Sequence, residues 1–296
     1  MTLNAADVRR LLADHGVLPS RALGQNFVAD ANTVRRIARL AGVGPGSRVV
    51  EIGAGLGSLT LALAEAGARV VAVEVDRHLL PVLRQVVEGW PGVTVVEADA
   101  LRADLSSLLA EGGPGGLGAG DGPGAGDGPG WSLVANLPYN VATPLVVRVL
   151  EEVPSVLRLL VMVQREVGER LAAGPGDDAY GAVSVKVAYW AAARVVGRVP
   201  PTVFVPRPAV ESALVSMERR PEPAVPVGLV PYDRLFAVVG AGFAQRRKML
   251  RRSLAGVVEV GAFAGAGVAP EARAEELSVE EWGRLAGWGR GTAWAP

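Results

Sequence analysis

The chain has 296 residues, with 30 basic and 30 acidic side chains, so its formal net charge is zero. Half of the residues are hydrophobic and 20% are charged, which predicts a folded chain with a sizeable core and excludes a disordered protein. The absence of cysteine excludes disulfides, thiolate metal sites and cysteine nucleophiles, and with only two histidines we expect no metal site.

Apolar patterning predicts alternating helices and strands through the first two thirds of the chain. The predicted helices before Pro200 cover residues 8–16, 31–42, 58–67, 77–89 and 143–153. The predicted strands are rich in Val and Leu and cover residues 47–53, 68–76, 93–99, 132–137 and 157–164. Strands of this kind separated by helices indicate an α/β fold with a mostly parallel, doubly wound sheet of the Rossmann-like type.

Residues 112–130 interrupt this pattern with 11 glycines in 19 positions and two copies of the hexad GAGDGP. Two hexads without an aliphatic position cannot build a calcium-binding β-helix. We therefore expect a flexible surface loop before the fourth strand.

The pattern changes after Pro200, where a strand is predicted at 211–219 and helices follow it. The helices cover residues 232–243, 244–258 and 278–288, and the last has a capping-box sequence in Ser278 and Glu281. We therefore predict an α/β domain at 1–205, and a strand return followed by a small all-α domain at 206–296.

The first chemical motif is the turn VVEIGAGLGSLT, which joins a predicted strand to a helix at 49–60. Glycines at 53 and 55 allow the backbone to approach a ligand closely. The dinucleotide fingerprint GxGxxG needs a third glycine where this chain has Ser58. Glu74 and Asp99 end the next two strands, and a carboxylate such as Glu74 can accept both ribose hydroxyls. This combination is typical of enzymes that use S-adenosyl-L-methionine (SAM).

The second motif is Asn136-Leu137-Pro138-Tyr139, which directly follows the fourth strand. Ligands of open α/β sheets bind at this carboxyl edge. The Asn136 oxygen and a backbone carbonyl held by the proline can accept hydrogen bonds from an exocyclic amine. The ring of Tyr139 can stack on a flat base. The motif therefore predicts methylation of a base amine.

Together these motifs resemble the KsgA family of small-subunit ribosomal RNA adenine N6,N6-dimethyltransferases over nearly the whole chain. Departures from the family pattern occur at Val28, Ala54, Ala142 and Met249, and the loop at 112–130 is not part of it. The five matching elements are LGQNFVAD (23–30), EIGAGLGSLT (51–60), NLPYNVATP (136–144), VFVPRPAVESALV (203–215) and FAQRRKMLRRSL (243–254).

The resemblance implies a role for each matching residue. Gln25, Asn26 and Val28 would help to close the cofactor site. Gly53 and Gly55 would face the amino-acid part of SAM, Glu74 the ribose and Asp99 the adenine amine. The target N6 would be positioned by Asn136, Leu137 and Pro138, between the rings of Tyr139 and Phe204.

A basic segment near the start of the helical domain predicts RNA binding. Residues 205–254 carry nine bases and four acids, whereas the whole chain is neutral. On one helix, positions 247 and 251 would share a face, as would 248 and 252. The candidate phosphate-binding residues are Arg246, Arg247, Lys248, Arg251 and Arg252. The expected partner is small-subunit rRNA or a precursor of the small ribosomal subunit.

The sequence also leaves other functions open. A large-subunit rRNA adenine methyltransferase of the macrolide-resistance type would share the core motifs, and a non-enzymatic ribosome-assembly factor would share the fold. An NAD-dependent dehydrogenase is disfavoured by Ser58 and by the lack of a catalytic histidine. Because no apolar run is long enough to span a membrane and the first residues lack a signal-peptide pattern, we expect a soluble, cytoplasmic protein. We also expect it to be a monomer.

Overall fold

The computed structural model describes residues 2–20, 23–110 and 130–289. Of the predicted glycine-rich loop, Gly130 alone lies within these ranges, so the prediction for 112–129 falls outside the described residues. Within the described part of the chain, every helix is too short or too polar to cross a membrane.

The chain divides into two compact units, and each unit takes two stretches of the sequence. One unit comprises Met1–Gly168 and Val195–Glu218, and the other comprises Glu169–Arg194 and Arg219–Pro296. This division differs from the predicted boundary between 205 and 206. The physical reason is strand pairing, because the segment at 212–218 is hydrogen-bonded into the sheet of the first unit.

The first unit is built on a seven-stranded sheet and a small two-stranded one. In chain order the nine strands of the described residues are β1 (Phe27–Val28), β2 (Arg48–Ile52), β3 (Arg69–Glu74), β4 (Val93–Glu97), β5 (Trp131–Asn136), β6 (Val156–Gln164), β7 (Ala191–Val199), β8 (Phe204–Val205) and β9 (Ser212–Arg219). The large sheet has the order β4-β3-β2-β5-β6-β9-β7, and β1 pairs with β8. Neighbouring strands from β4 to β6 are parallel and β9 is antiparallel to β6, so the predicted mostly parallel α/β sheet is confirmed.

Helices alternate with these strands in the first unit. Their bounds are α1 (Ala5–Asp14), α2 (Ala31–Leu40), α3 (Ser58–Glu65), α4 (Leu80–Val86), α5 (Leu105–Ala110), α6 (Ala142–Glu152) and α7 (Arg165–Ala172), the last of which runs into the second unit. The first helix begins three residues before its predicted start because Asn4 forms a capping box with Asp7. The side chain of Asp30 accepts N–H groups at the start of α2 in a similar way.

The sheet buries its central strands, which explains their nearly continuous apolar sequences. Residues 70–73 of β3 are at most 1% exposed, and Val70 and Ala72 among them pack in a cluster with residues of β2, α2 and α3. Ile52 pairs with Val73, and Glu74 pairs with Glu97, so the parallel strands end at one common edge. The fold therefore brings the polar residues after these strands together.

The second unit is helical. Its helices are α8 (Ala182–Trp190), α9 (Tyr232–Ala244), α10 (Leu250–Ser253), α11 (Gly261–Ala266) and α12 (Val279–Gly287). The predicted capping box of Ser278 and Glu281 begins α12, and Trp282 on this helix is completely buried. No element was predicted between 165 and 199, where α7, α8 and β7 lie.

The prediction of one helix over 244–258 is wrong. Helix α9 ends at Ala244, residues 245–248 form a turn, and α10 has four residues. The backbone leaves the helical path because the N–H of Leu250 donates to Ala272 and the N–H of Arg251 donates to Pro270. The predicted pairing of 247 with 251 and of 248 with 252 on one helix face is therefore wrong as well.

Candidate active site

A cavity of about 250 Å³ lies at the carboxyl ends of β2 to β5, entirely within the first unit. Every predicted cofactor residue lines it, as do Leu137, Pro138 and Tyr139. The lining comes from five stretches of the chain, which fall within residues 23–28, 51–59, 73–79, 98–101 and 136–145. The structure thus brings together three of the five family-like elements, and with them Glu74 and Asp99, which the sequence places far apart.

The glycine turn forms the floor of the cavity between β2 and α3. Gly53, Gly55 and Gly57 have φ angles of 76°, 59° and 85°, in the left-handed region that other residues rarely adopt. A Cβ atom on Gly55 would lie 3.1 Å from the ring of Phe27, and one on Gly53 would lie 3.6 Å from the ring of Pro138. The turn therefore needs glycine both for its conformation and for the close approach of its neighbours.

Glu74 binds the same turn from the end of β3. Its Oε2 accepts the N–H of Gly55 at 2.7 Å, and its Oε1 accepts the N–H groups of Val75 and Asp76, each at 2.9 Å. The residue is 5% exposed, and this burial raises the pKa of its carboxyl while the three N–H groups oppose the rise. Since a carboxylate oxygen accepts about two hydrogen bonds, Oε2 keeps one acceptor position for a ligand.

Asp99 follows β4 and begins the loop that closes the next side of the cavity. Its Oδ1 accepts the N–H of Leu101 at 2.9 Å, and its carbonyl accepts the N–H groups of Arg102 and Ala103. Its Oδ2 lies 3.6 Å from the guanidinium of Arg102, whose side chain is 88% exposed. An exposed pair at this distance constrains a carboxylate weakly, so Oδ2 can accept a further hydrogen bond.

Asn136 is held by the N-terminal segment, 110 residues earlier in the chain. Its Nδ2 donates to the carbonyl of Asn26 at 3.0 Å, which sets the orientation of the amide. No donor among the described residues reaches Oδ1, so this oxygen is the free acceptor of the side chain. The N–H of Leu137 donates to Met162 across the sheet, whereas the carbonyl of Leu137 receives no donor from the described part of the chain.

The N-terminal segment packs directly against the NLPY motif. A Cβ atom on Gly24 would lie 3.5 Å from Cβ of Pro138. Gln25 donates from Nε2 to Asp76 at 2.7 Å and accepts the N–H of Ser20, so both ends of its amide bind protein groups. Val28 is 4% exposed and belongs to the core. These contacts fit a segment that closes one side of the cavity.

The two predicted aromatic walls behave differently. Tyr139 lines the cavity, its hydroxyl lies 3.2 Å from Ser212, and burial raises the pKa of its phenol. Phe204 is 4% exposed, pairs with Val28 between β1 and β8, packs in the core cluster and does not line the cavity. The cavity lining thus contains one of the two predicted walls, and the role of Phe204 as the other wall stays a prediction. Phe204 packs in the same core cluster as Val28 and Ala54, which line the cavity.

Two buried polar residues of the cavity were not predicted. Glu51 is 1% exposed, accepts the hydroxyl of Thr60 at 2.6 Å, and has its pKa raised to about 8, chiefly by burial. Ser58 is 6% exposed at the start of α3, and its Oγ has no hydrogen-bond partner in the described residues. The sequence features that could have identified them are a carboxylate within an apolar strand, at Glu51, and a serine at the third glycine position of the dinucleotide fingerprint, at Ser58.

Among the described residues, the cavity lining contains three carboxyl groups, those of Glu51, Glu74 and Asp99, and no Lys, Arg or His. Burial keeps Glu51 protonated up to about pH 8, so the negative charge of the lining comes from Glu74 and Asp99. An acidic lining favours a cationic ligand such as a sulfonium and disfavours a pyrophosphate. Ser58 adds a buried hydroxyl and the N-terminus of an eight-residue helix, where a carboxylate would find donors. Charge and donor groups together fit SAM better than a dinucleotide.

The basic segment lies in the second unit and is divided by its ion pairs. Arg246 donates to Glu275 and to the carbonyl of Asp178, and Arg251 donates to Glu271 at 3.0 Å. The other three cations, Arg247, Lys248 and Arg252, are exposed and form no ion pair with the described residues. The segment thus presents three unpaired cations rather than five.

Comparisons with known proteins agree with this geometry. The sequence profile of the family "Ribosomal RNA adenine dimethylase" matches residues 19–289. "Ribosomal RNA small subunit methyltransferase A" of Streptomyces coelicolor is 47% identical over 289 residues, which cover 96% of each chain. The protein of the same name from Moorella thermoacetica is 42% identical and covers 93% of this chain and 94% of its own length.

Solved structures show the same fold. The crystal structure of the 23S rRNA methyltransferase ErmE is 27% identical, with a TM-score of 0.65, over 88% of this chain and 98% of its own. A dimethyladenosine transferase from Plasmodium falciparum is 20% identical with a TM-score of 0.66, over 86% of this chain and 94% of its own. The small-subunit relatives are thus far more similar in sequence than the large-subunit enzyme, which favours small-subunit RNA as substrate.

Proposed function

The chain belongs to the ribosomal RNA adenine dimethylase family, and we propose how its cavity performs the reaction. The enzyme transfers two methyl groups to the N6 amine of adenines near the 3′ end of small-subunit rRNA, during assembly of the subunit. SAM is the methyl donor. We also propose that the enzyme acts as a monomer, which the lining of the cavity by residues of one chain supports, and that it works in the cytoplasm.

The orientation of the Asn136 amide is the observation that carries this proposal. Because Nδ2 is held by Asn26, Oδ1 is left to accept a hydrogen bond from the target amine. The free carbonyl of Leu137 supplies a second acceptor next to it. Two acceptors bind both N–H bonds of an adenine N6 amine and direct its lone pair away from them.

The remaining residues of the cavity hold the cofactor and the base. Gly53 and Gly55 leave room for the amino-acid part of SAM, and Ser58 donates to its carboxylate. Glu74 accepts a ribose hydroxyl at Oε2, and Asp99 accepts the adenine amine at Oδ2. Tyr139 stacks on the target base, and its contact with Ser212 limits the rotation of the ring.

The chain's part in the chemistry is positioning and charge. SAM supplies a methyl group that is already activated on a sulfonium, so the protein needs no strong general base. The acidic lining of Glu74 and Asp99 stabilises a cationic ligand, and Asn136 holds the amine in line for attack. After one transfer, the monomethylated amine keeps one N–H, which Oδ1 or the Leu137 carbonyl can still accept.

We propose that phosphate binding by the second unit depends on Arg247, Lys248 and Arg252. Arg246 and Arg251 instead hold the segment in place through Glu275 and Glu271. The logarithm of the affinity for RNA falls linearly with the logarithm of the salt concentration. Replacement of the three unpaired cations by Ala should make this dependence less steep by about two units of slope. The double variant Arg246→Ala/Arg251→Ala is the control and should change the slope less. If its slope changes as much as that of the triple variant or more, the phosphate-binding role is not confined to Arg247, Lys248 and Arg252.

The decisive experiment offers the enzyme two substrates with radiolabelled SAM. Small-subunit particles from a strain that lacks this methylation are compared with naked large-subunit RNA, and the labelled nucleosides are mapped. We expect dimethyladenosine near the 3′ end of the small-subunit RNA. Label confined to large-subunit RNA would refute the proposed substrate, and label in neither RNA would refute the activity.

A further inference from the structure

Arg148 connects two parts of the first unit that the proposed function uses separately. It lies on α6, which begins two residues after the NLPYN segment ends. Its Nη1 donates to the carbonyl of Ala100 at 2.6 Å, and its Nη2 donates to the carbonyl of Ala103 at 2.9 Å. Its Nε donates to Glu152 at 2.7 Å, one helical turn further along α6.

The two carbonyls belong to the loop that carries Asp99. Asp99, Ala100 and Leu101 all line the cavity. The hydrogen bonds inside the loop run from Leu101, Arg102 and Ala103 back to Asp99 and shape the turn. The chain is tied to the rest of the unit at Ala98, which donates to Glu74, and at Ser106, which donates to Glu152. Between these two points, Arg148 attaches the carbonyls of Ala100 and Ala103 to a three-turn helix.

The geometry requires a guanidinium. Its planar fork donates to two carbonyls and to a carboxylate at once, and a lysine ammonium at the same position cannot span all three. The side chain is 20% exposed, so these charge-assisted bonds are partly shielded from water. Glu152 holds the Nε edge and so aims the two terminal nitrogens at the loop.

We propose that Arg148 is a positioning residue that sets the selectivity of the cofactor pocket for adenine. This inference rests on the proposed function, in which Asp99 accepts the exocyclic amine of the cofactor base. Arg148 holds the Ala100–Ala103 backbone so that the Asp99 carboxylate stays at the distance an amine requires. A base that carries a carbonyl oxygen in place of the amine is then rejected, because two acceptors would face each other.

Calorimetric binding of two ligands to the full chain tests this inference without measuring turnover. The ligands are S-adenosylhomocysteine and S-inosylhomocysteine, which differ only in the base. We expect the wild type to prefer the adenosyl ligand. In Arg148→Met, affinity for the adenosyl ligand should fall about tenfold or more, and the preference should shrink towards unity. Arg148→Lys should lie between the two.

Arg36→Met is the matched control. Arg36 also donates from a helix of the first unit to a backbone carbonyl, that of Arg198 at 3.1 Å, but Arg198, unlike Ala100, does not line the cavity. This variant should keep the wild-type preference. A general loss of stability would weaken both ligands in either variant without changing their ratio, so the ratio separates positioning from folding.

Three outcomes would overturn the inference in distinguishable ways. If Arg148→Met keeps the wild-type ratio, Arg148 does not set selectivity, although the cofactor site itself stands. If the wild type binds both ligands equally, Asp99 does not recognise the exocyclic amine of the cofactor base. If the wild type binds neither ligand, the proposed cofactor fails and the inference fails with it. If Arg148→Met does not fold, the inference is tested with Arg148→Lys and Glu152→Gln. The measurement is again the ratio of the affinities for the adenosyl and inosyl ligands, which should fall in both variants.

Discussion

Replacing Glu51 with glutamine should make the stability of the protein less sensitive to pH. Glu51 lies on β2 at 1% exposure, and burial together with nearby Glu74 raises its pKa from 4.5 to about 8. The hydroxyl of Thr60 donates to Oε2 and opposes the rise. A glutamine of the same shape can accept that hydroxyl and carries no charge at any pH.

The sign of the effect follows from proton uptake. Between pH 4.5 and about 8, the unfolded chain has lost this proton and the folded chain still holds it. The stabilising contribution is therefore fully present below pH 4.5 and is lost as the pH rises towards 8. The loss is about 1.4 kcal/mol for each pH unit, and up to about 5 kcal/mol over the whole interval.

Thermal unfolding at pH 5, 6, 7 and 8 measures this difference. The melting temperature of Glu51→Gln minus that of the wild type should rise by about 3–6 °C per pH unit for a unit of this size. Glu97→Gln, on the exposed end of β4, controls for the loss of a carboxylate as such. A difference that does not change between pH 5 and 8 would refute the assignment of a buried, protonated carboxyl to Glu51.

The other predictions concern the reaction and its ligands. Asn136→Ala should abolish methyl transfer to small-subunit RNA while leaving calorimetric binding of S-adenosylhomocysteine near the wild-type level, and loss of that binding would show the role to be wrong. Ser58→Ala should raise the melting temperature, because it removes a buried hydroxyl that has no hydrogen-bond partner. The same variant should bind S-adenosylhomocysteine about tenfold more weakly, and an unchanged affinity would exclude a contact between Ser58 and this ligand. Deletion of residues 113–129 should leave methyl transfer near wild type, since they lie outside the family motifs, and a large loss would mean that they touch substrate.

The chemistry of the cavity follows from residues that different parts of the fold supply. Glu74 and Asp99 come from the ends of neighbouring parallel strands, and Asn136 comes from a third strand of the same sheet. Their meeting at one edge is a property of parallel topology, so sequence patterns alone predict it. The same reasoning predicts the glycine turn, because a strand, a run of glycines and a helix must bring backbone to that edge.

The structure changed the interpretation wherever a side chain has a partner far away in sequence. The basic segment was predicted from composition, but Glu271 and Glu275 pair with two of its five cations. The single helix predicted over 244–258 does not form, because Ala272 and Pro270 accept the N–H groups of Leu250 and Arg251. Counting the charges within one segment of the sequence cannot predict either of these contacts.

The sequence by itself determined the fold class and the family, and it predicts that the cofactor and the target amine bind at the carboxyl edge of the sheet. These features depend on local periodicity, glycine conformation and the order of the strands, all of which can be recognised from short segments of the sequence. The tertiary structure alone decided the direction of the Asn136 amide, the burial of Phe204 in the core and the attachment of the Asp99 loop by Arg148. Each of these depends on packing and hydrogen bonds between residues 45 to 176 positions apart, and pairings at such separations are set only when the whole unit has folded.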